Sequence, residues 1–215
     1  MPYPMSHLYT ARKILDSCII RINDLPQYYL GTLGPDAIHF REDFNIIQKR
    51  TTHLYVGLER ENLDIFIKNW FENVVKFYNS YKLDKNHDFL LGYCIHLIGD
   101  IYNYQFIWTP FKNEFGRDNN IYQNECKKID LEMYCKENAE TCFFPLIKQS
   151  KSIDFFDLIP KKELDDIKNN ILNVQYKQYE TVENGESKFI TYDKMKGYNN
   201  DMSEYIKKEF IELIG

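Results

Sequence analysis

The chain has 215 residues, with 27 Lys and Arg against 32 Asp and Glu, a net charge of −5 and 16% aromatic residues. That balance argues against a protein that grips a nucleic-acid backbone, which needs a basic face. An apolar share of 44% suits an ordinary globular core, and no Pro-, Gly- or Ser-rich linker interrupts the chain, so residues 1–215 are expected to form a single domain.

The amino end, "MPYPMSHLYTARKIL", lacks a basic stretch followed by an apolar run, so no secretory signal is read there. No apolar run is long enough to span a bilayer, which takes about 18 residues or more. Five cysteines without a C-x-x-C pair point to a reducing, cytoplasmic setting. Cys18 and Cys94 fall on apolar faces and are expected in the core.

Apolar residues recur mainly at three- and four-residue spacing, which predicts helices. The first covers 6–22, capped by Ser6, with Leu8, Ala11, Ile14, Leu15, Cys18 and Ile22 inward. Residues 26–58 are expected to be loop-rich, broken by Gly31, Gly34 and Pro35. Helices follow at 60–81, at 88–108 behind Asn86 or Asp88, at 121–137, and in shorter pieces near 140–149, 160–175 and 201–214. Asn184-Gly185 divides two short runs within 179–195, the one hairpin-like stretch. The expected fold is all-α, a multi-helix bundle around a buried metal site.

The informative helix is "FLLGYCIHLIGDIYN", residues 89–103. It is apolar on nearly every side, yet His96 and Asp100 stand one turn apart and can face one object. Gly92, Gly99 and Asn103 continue the same polar line. A buried carboxylate must be paired or bound to a cation. For one His/Asp pair taken alone, an ordinary ion pair is the commoner explanation. Other segments add candidates: His7 on an inward helix face, Asp36 after Gly34-Pro35, and His53 after two threonines. Imidazole and carboxylate together are what zinc binds, and Asp36 with Asp100 would balance a divalent charge.

The pieces "SHL", "GPD", "THL" and "FLLGYCIHLIGD" come in an order that resembles the zinc-dependent phospholipase C family, related to single-strand-specific zinc nucleases. The resemblance covers roughly residues 5–115. It implies an all-α fold around zinc, with one ion held by Asp36, His53, His96 and Asp100. A further ion would use His7, Asp100 and the backbone amino end.

The chain departs from that pattern after Asp100. The family places another metal-binding histidine six residues later, where this chain has Phe106, and then a His-x-x-x-Glu; no histidine follows His96 here. Glu125 and Asp130 are the candidates for a second ion, although five residues turn a helix about 140°. One zinc is therefore expected, a second being weaker. The implied activity is hydrolysis of a phosphate ester by a metal-activated water, with Asp36 as general base. The substrate would be a small phosphate ester or a phospholipid head group. The alternatives are a phospholipase C-like metal-binding protein without turnover, and a phosphohydrolase built on the doublet His87-Asp88.

Overall fold

The computed structural model of the protein describes residues 3–116, 119–178 and 190–215. They form an all-α structure with no β-sheet; one isolated bridge joins Phe155 and Ile159. Among the described residues no helix is long and apolar enough to cross a membrane. In chain order the helices are α1 (Pro4–Asp16), α2 (Leu25–Gly31), α3 (Ile46–Thr52), α4 (Leu63–Tyr81), α5 (His87–Asn103), α6 (Thr109–Phe115) and α7 (Asn119–Lys136). Then come α8 (Ala139–Cys142), α9 (Phe144–Gln149), α10 (Lys161–Asn169), α11 (Tyr176–Gln178), α12 (Tyr192–Tyr205) and α13 (Glu212–Ile214). A 3₁₀ segment, Gly34–Phe40, follows α2, and π-helical turns occupy Tyr104–Trp108, Asn170–Gln175 and Ile206–Ile211.

The middle of the bundle is α5, buried from Asp88 through Asn103. Helices α1, α2, α4 and α12 pack around it. A helix apolar on all sides can only lie inside a fold, because no face of it is suited to water. Two glycines set how closely α2 approaches. A Cβ at Gly31 would stand 2.2 Å from the Phe89 carbonyl oxygen, and one at Gly92 would stand 2.1 Å from that of Tyr28. Both contacts are with backbone, so no rotamer change could relieve them.

Several boundaries differ from the expected ones. Helix α1 starts at Pro4, where the missing proline N–H costs nothing. Ser6 is therefore inside the helix, its hydroxyl donating to Asn199 Oδ1 at 2.6 Å rather than capping. The helix ends at Asp16 because Cys18 takes a left-handed conformation (φ 56°), and this cysteine is exposed, not in the core. The stretch expected to be loop-rich holds α2, the 3₁₀ segment and α3. The last begins with a reciprocal cap, Asn45 accepting from Gln48 N while Gln48 Oε1 accepts from Asn45 N.

The helix expected to run on to 108 is α-helical only to Asn103. Pro110 has no N–H for the Phe106 carbonyl, and Thr109 N reaches back to Tyr104 O instead, opening a π turn. The hairpin-like stretch lies largely outside the described residues. Its far end is helical, since Thr191 caps α12 by accepting from Lys194 N.

Candidate metal centre

Five side chains from four segments meet beside the middle of α5. His96 and Asp100 come from successive turns of α5 itself. His7 comes from α1, Asp36 from the first turn of the 3₁₀ segment, and His53 from the C-cap of α3. His53 Nε2 is 3.4 Å from Asp36 Oδ1 and 3.5 Å from Asp100 Oδ2. His96 Nε2 is 3.6 Å from Asp100 Oδ2 and 4.0 Å from Asp36 Oδ2. His7 Nε2 faces the other Asp100 oxygen, Oδ1, at 3.7 Å. The His7 ring lies flat on that of His96, centroids 3.7 Å apart and planes 7° apart. Gly99 lies beside it; a Cβ there would only touch His7 Nδ1, at 3.6 Å, and would crowd the Met202 sulfur at 3.2 Å.

These separations decide between two explanations of the buried charges. A charge-assisted hydrogen bond between imidazole and carboxylate spans about 2.7–2.9 Å, and every pair in the centre is longer. Ligands about 2.1 Å from a tetrahedral zinc stand about 3.4 Å from each other, close to the shortest of the distances found. The facing atoms are also unpaired. His7 Nε2, His53 Nε2, His96 Nε2, Asp36 Oδ1 and both oxygens of Asp100 are buried without a hydrogen-bond partner. The residues present therefore fit a divalent cation, and among the described residues no lysine or arginine takes its place at Asp100.

The outward ring nitrogens explain why the inward ones are free. His96 Nδ1 donates to the Thr32 carbonyl at 2.8 Å, and His53 Nδ1 to that of Lys49 at 3.0 Å. Each bond fixes the tautomer that leaves Nε2 as a lone-pair donor, a support usual for metal-binding histidines. Burial, reinforced by His96, pushes the His7 pKa down to about 3, and burial lowers that of His53. At His96 burial acts downward too, but Asp100 and Asp36 outweigh it and the pKa is raised. Burial would raise both carboxyls, yet the neighbours prevail. His39, His53 and His96 hold Asp36 well below its usual value, and His96, His7 and His53 bring Asp100 to about 2. The two carboxylates are thus held in their charged form and His7 and His53 tilted to their neutral form, as a divalent ion needs, while the two carboxylates tilt His96 the other way.

The geometry also bears on how many ions it suits. Two donor sets, Asp36 with His53 and His96 and His7 with His96 and Asp100, each hold their ligating atoms within 4.8 Å of one another. Asp100 Oδ2 also faces His53 and His96 and so adjoins the first set, and because the shared His96 Nε2 can serve one ion at a time, an ion in the first position leaves the second with only two side chains. The amino end, the other ligand implied for that position, lies outside the described residues.

Glu125 and Asp130 do not join the centre. Among the described residues, neither belongs to a set of ligating atoms within 4.8 Å of one another. Asp130 is committed elsewhere: Oδ1 accepts from Met5 N at 2.9 Å, and Oδ2 accepts from Tyr176 at 2.9 Å and Gln175 at 3.1 Å. Phe106, in the π turn, is 43% exposed and packs on Tyr102 and Tyr205. The doublet His87-Asp88 sits at the other end of α5, where Asp88 accepts from the Asn23 and Asp24 backbone and His87 meets the Tyr78 hydroxyl.

A cavity of about 770 Å³ opens onto the centre, with Asp36 and Asp100 in its wall. Aromatic side chains line much of it, among them Tyr55, Trp70, Tyr104 and Trp108, and so do Lys49, Arg60 and Lys127. The sequence reading did not single out these three cations; ordinary charge density hides them, and only the fold turns them to one space. Asn103 also lines the cavity, and its place three residues after Asp100 on the polar line was a usable signal.

Fold and centre together define an all-α protein with a buried His/Asp cluster suited to a divalent cation. Comparisons with protein families, with curated proteins and with solved structures return no match for this chain.

Proposed function

We propose that the protein is a zinc-dependent hydrolase of phosphate esters, akin to the zinc-dependent phospholipase C family. One observation carries the reading: six buried donor atoms on five side chains converge without hydrogen-bond partners beside a cavity large enough for a small substrate. Zinc bound there supplies a Lewis acid that acidifies water and draws charge from a phosphoryl oxygen.

The protein's own residues do the rest. Asp36 stands between centre and cavity, with 21% of its side chain exposed, which places it to accept a proton from an incoming nucleophile. His39 Nε2, 3.6 Å from Asp36, accepts from Lys49 Nζ at 2.9 Å, and the pair flanks the carboxylate on its cavity side. Asp100, fully enclosed, orients and charge-balances. The aromatic walls exclude water around the ester. Five free cysteines support a cytoplasmic setting.

A second reading has its own support. Because Asp130 is fully engaged and Phe106 replaces a ligand, a single-ion centre could bind metal without turnover. Elemental analysis of the purified protein, with assays on p-nitrophenyl phosphate, bis(p-nitrophenyl) phosphate and p-nitrophenyl phosphorylcholine, separates the two. We expect about one zinc per chain, lost in His96→Ala and Asp100→Ala, and hydrolysis of at least one ester. Full zinc occupancy with no hydrolysis leaves the non-catalytic reading; absence of zinc removes both.

A further inference from the structure

The geometry points to a dianion subsite in the cavity, built on the Asn103 side chain and suited to a phosphomonoester rather than a phosphodiester. This rests on the metal-centre reading and names the substrate class of the same site.

Asn103 is 1% exposed and lies one turn beyond Asp100, on the same face of α5, in the wall of the cavity. Its Oδ1 accepts a hydrogen bond from the Tyr122 hydroxyl at 3.2 Å. Its Nδ2 is buried with no partner among the described residues. A buried amide donor left unpaired costs about 1–3 kcal/mol, and an amide nitrogen is no metal ligand. The group that satisfies Nδ2 is therefore an acceptor in the cavity, a water in the free protein and a substrate oxygen that displaces it. With Oδ1 accepting from Tyr122, the Nδ2 donor is the end of the amide left facing the cavity.

Charge selects the acceptor. The cavity wall holds two carboxylates, Asp36 and Asp100, and three cations, Lys49, Arg60 and Lys127. With a divalent ion offsetting the carboxylates, the cations remain in surplus. Lys49 donates to the neutral His39 Nε2 at 2.9 Å and reaches Asp36 only at 4.0 Å, and Arg60 lies over the faces of Tyr55, Phe66 and Tyr104 at 5.0–5.7 Å. A phosphomonoester carries nearly two negative charges above its second pKa of about 6, whereas a diester carries one. The surplus favours the monoester.

The test uses the zinc-loaded full chain, titrated calorimetrically at pH 8 with inorganic phosphate, methyl phosphate and dimethyl phosphate, with zinc content measured on each sample. Phosphate and methyl phosphate are expected to bind at least about tenfold tighter than dimethyl phosphate. Asn103→Ala should weaken phosphate by about tenfold to a hundredfold, the span of one hydrogen bond to an anion, with zinc content unchanged. Asn103→Asp keeps the acceptor for Tyr122 and removes the donor, so it should lose phosphate binding even if Asn103→Ala folds poorly.

Unchanged phosphate affinity in both variants overturns the assignment of Asn103, as does a loss of zinc in Asn103→Ala, which would make the side chain a ligand. Dimethyl phosphate binding as tightly as methyl phosphate overturns the dianion preference. A wild-type chain that retains no zinc fails at the earlier step, and the subsite falls with it.

Discussion

Stripping and restoring the metal should change the melting temperature by an amount the centre itself sets. Four donors surround the better-defined position: one oxygen each of Asp36 and Asp100, and Nε2 of His53 and His96. Left unpaired in the interior, each costs about 1–3 kcal/mol, so an ion that satisfies all four recovers at least about 4 kcal/mol. By mass action that corresponds to free zinc about a thousandfold above its dissociation constant. For a chain of this size 1 kcal/mol moves the midpoint by about 2–4 °C, so a rise of about 8–16 °C is expected. The assay is thermal unfolding in EDTA against a zinc buffer, on wild type and on His96→Ala. A rise under about 2 °C in wild type would refute the reasoning, since linkage gives a tight ion no way to bind without stabilising. An equal rise in His96→Ala would place the ion elsewhere.

Three further outcomes follow from other parts of the molecule. Burial pushes the Asp130 carboxyl from 3.8 to about 7 despite its three hydrogen-bond donors. Between those values the folded chain holds a proton that the unfolded chain has released, so stability falls as pH rises through that window, by roughly 4 kcal/mol. Asp130→Asn should flatten this dependence, measured by urea unfolding at pH 5 and pH 8; an unchanged slope contradicts it. Gly92→Ala should cost about 3 kcal/mol or more, because its Cβ would stand 2.1 Å from the Tyr28 carbonyl oxygen. Denaturant midpoints read that loss, and weaker zinc retention should accompany it, as α2 carries the chain to the Thr32 carbonyl that orients His96. Arg41 donates to both oxygens of buried Glu163, at 2.5 and 3.1 Å. Arg41→Ala leaves that carboxylate unpaired and should lower stability by about 3–5 kcal/mol, whereas Lys162→Ala, on the exposed pair with Glu42, should leave the midpoint almost unmoved.

How much of this was legible in the residue order depends on which forces act locally. The four-residue step from His96 to Asp100 needs only helical periodicity, and the apolar surround of α5 marks it as interior. Pro35 and the paired threonines before His53 mark bends, though not where those bends lie in space. What escaped notice was decided by partners far along the chain. Ser6 resembles a cap until Asn199 claims its hydroxyl. Asp130 resembles a spare ligand until Met5, Gln175 and Tyr176 occupy it. Cys18 falls on the apolar face of an ideal helix, but the chain has already turned left-handed there. The π turn after Asn103 answers to Pro110, seven residues beyond the last α-helical residue of α5. Lys49, Arg60 and Lys127 are unremarkable in the sequence and become a group only when three separate segments close on one cavity.

The donors of the metal centre stand on segments that begin at α1 and end deep in α5. Such a set cannot exist in a partly collapsed chain, since the entropy of several long loops must be met before any two donors are neighbours. On the proposed reading, zinc would therefore be captured late, after the helices have docked, and its stabilisation would fall on the unfolding step rather than on folding. Metal supply in the cell would then govern how long each molecule survives, while newly made chains mature at the same pace with or without it.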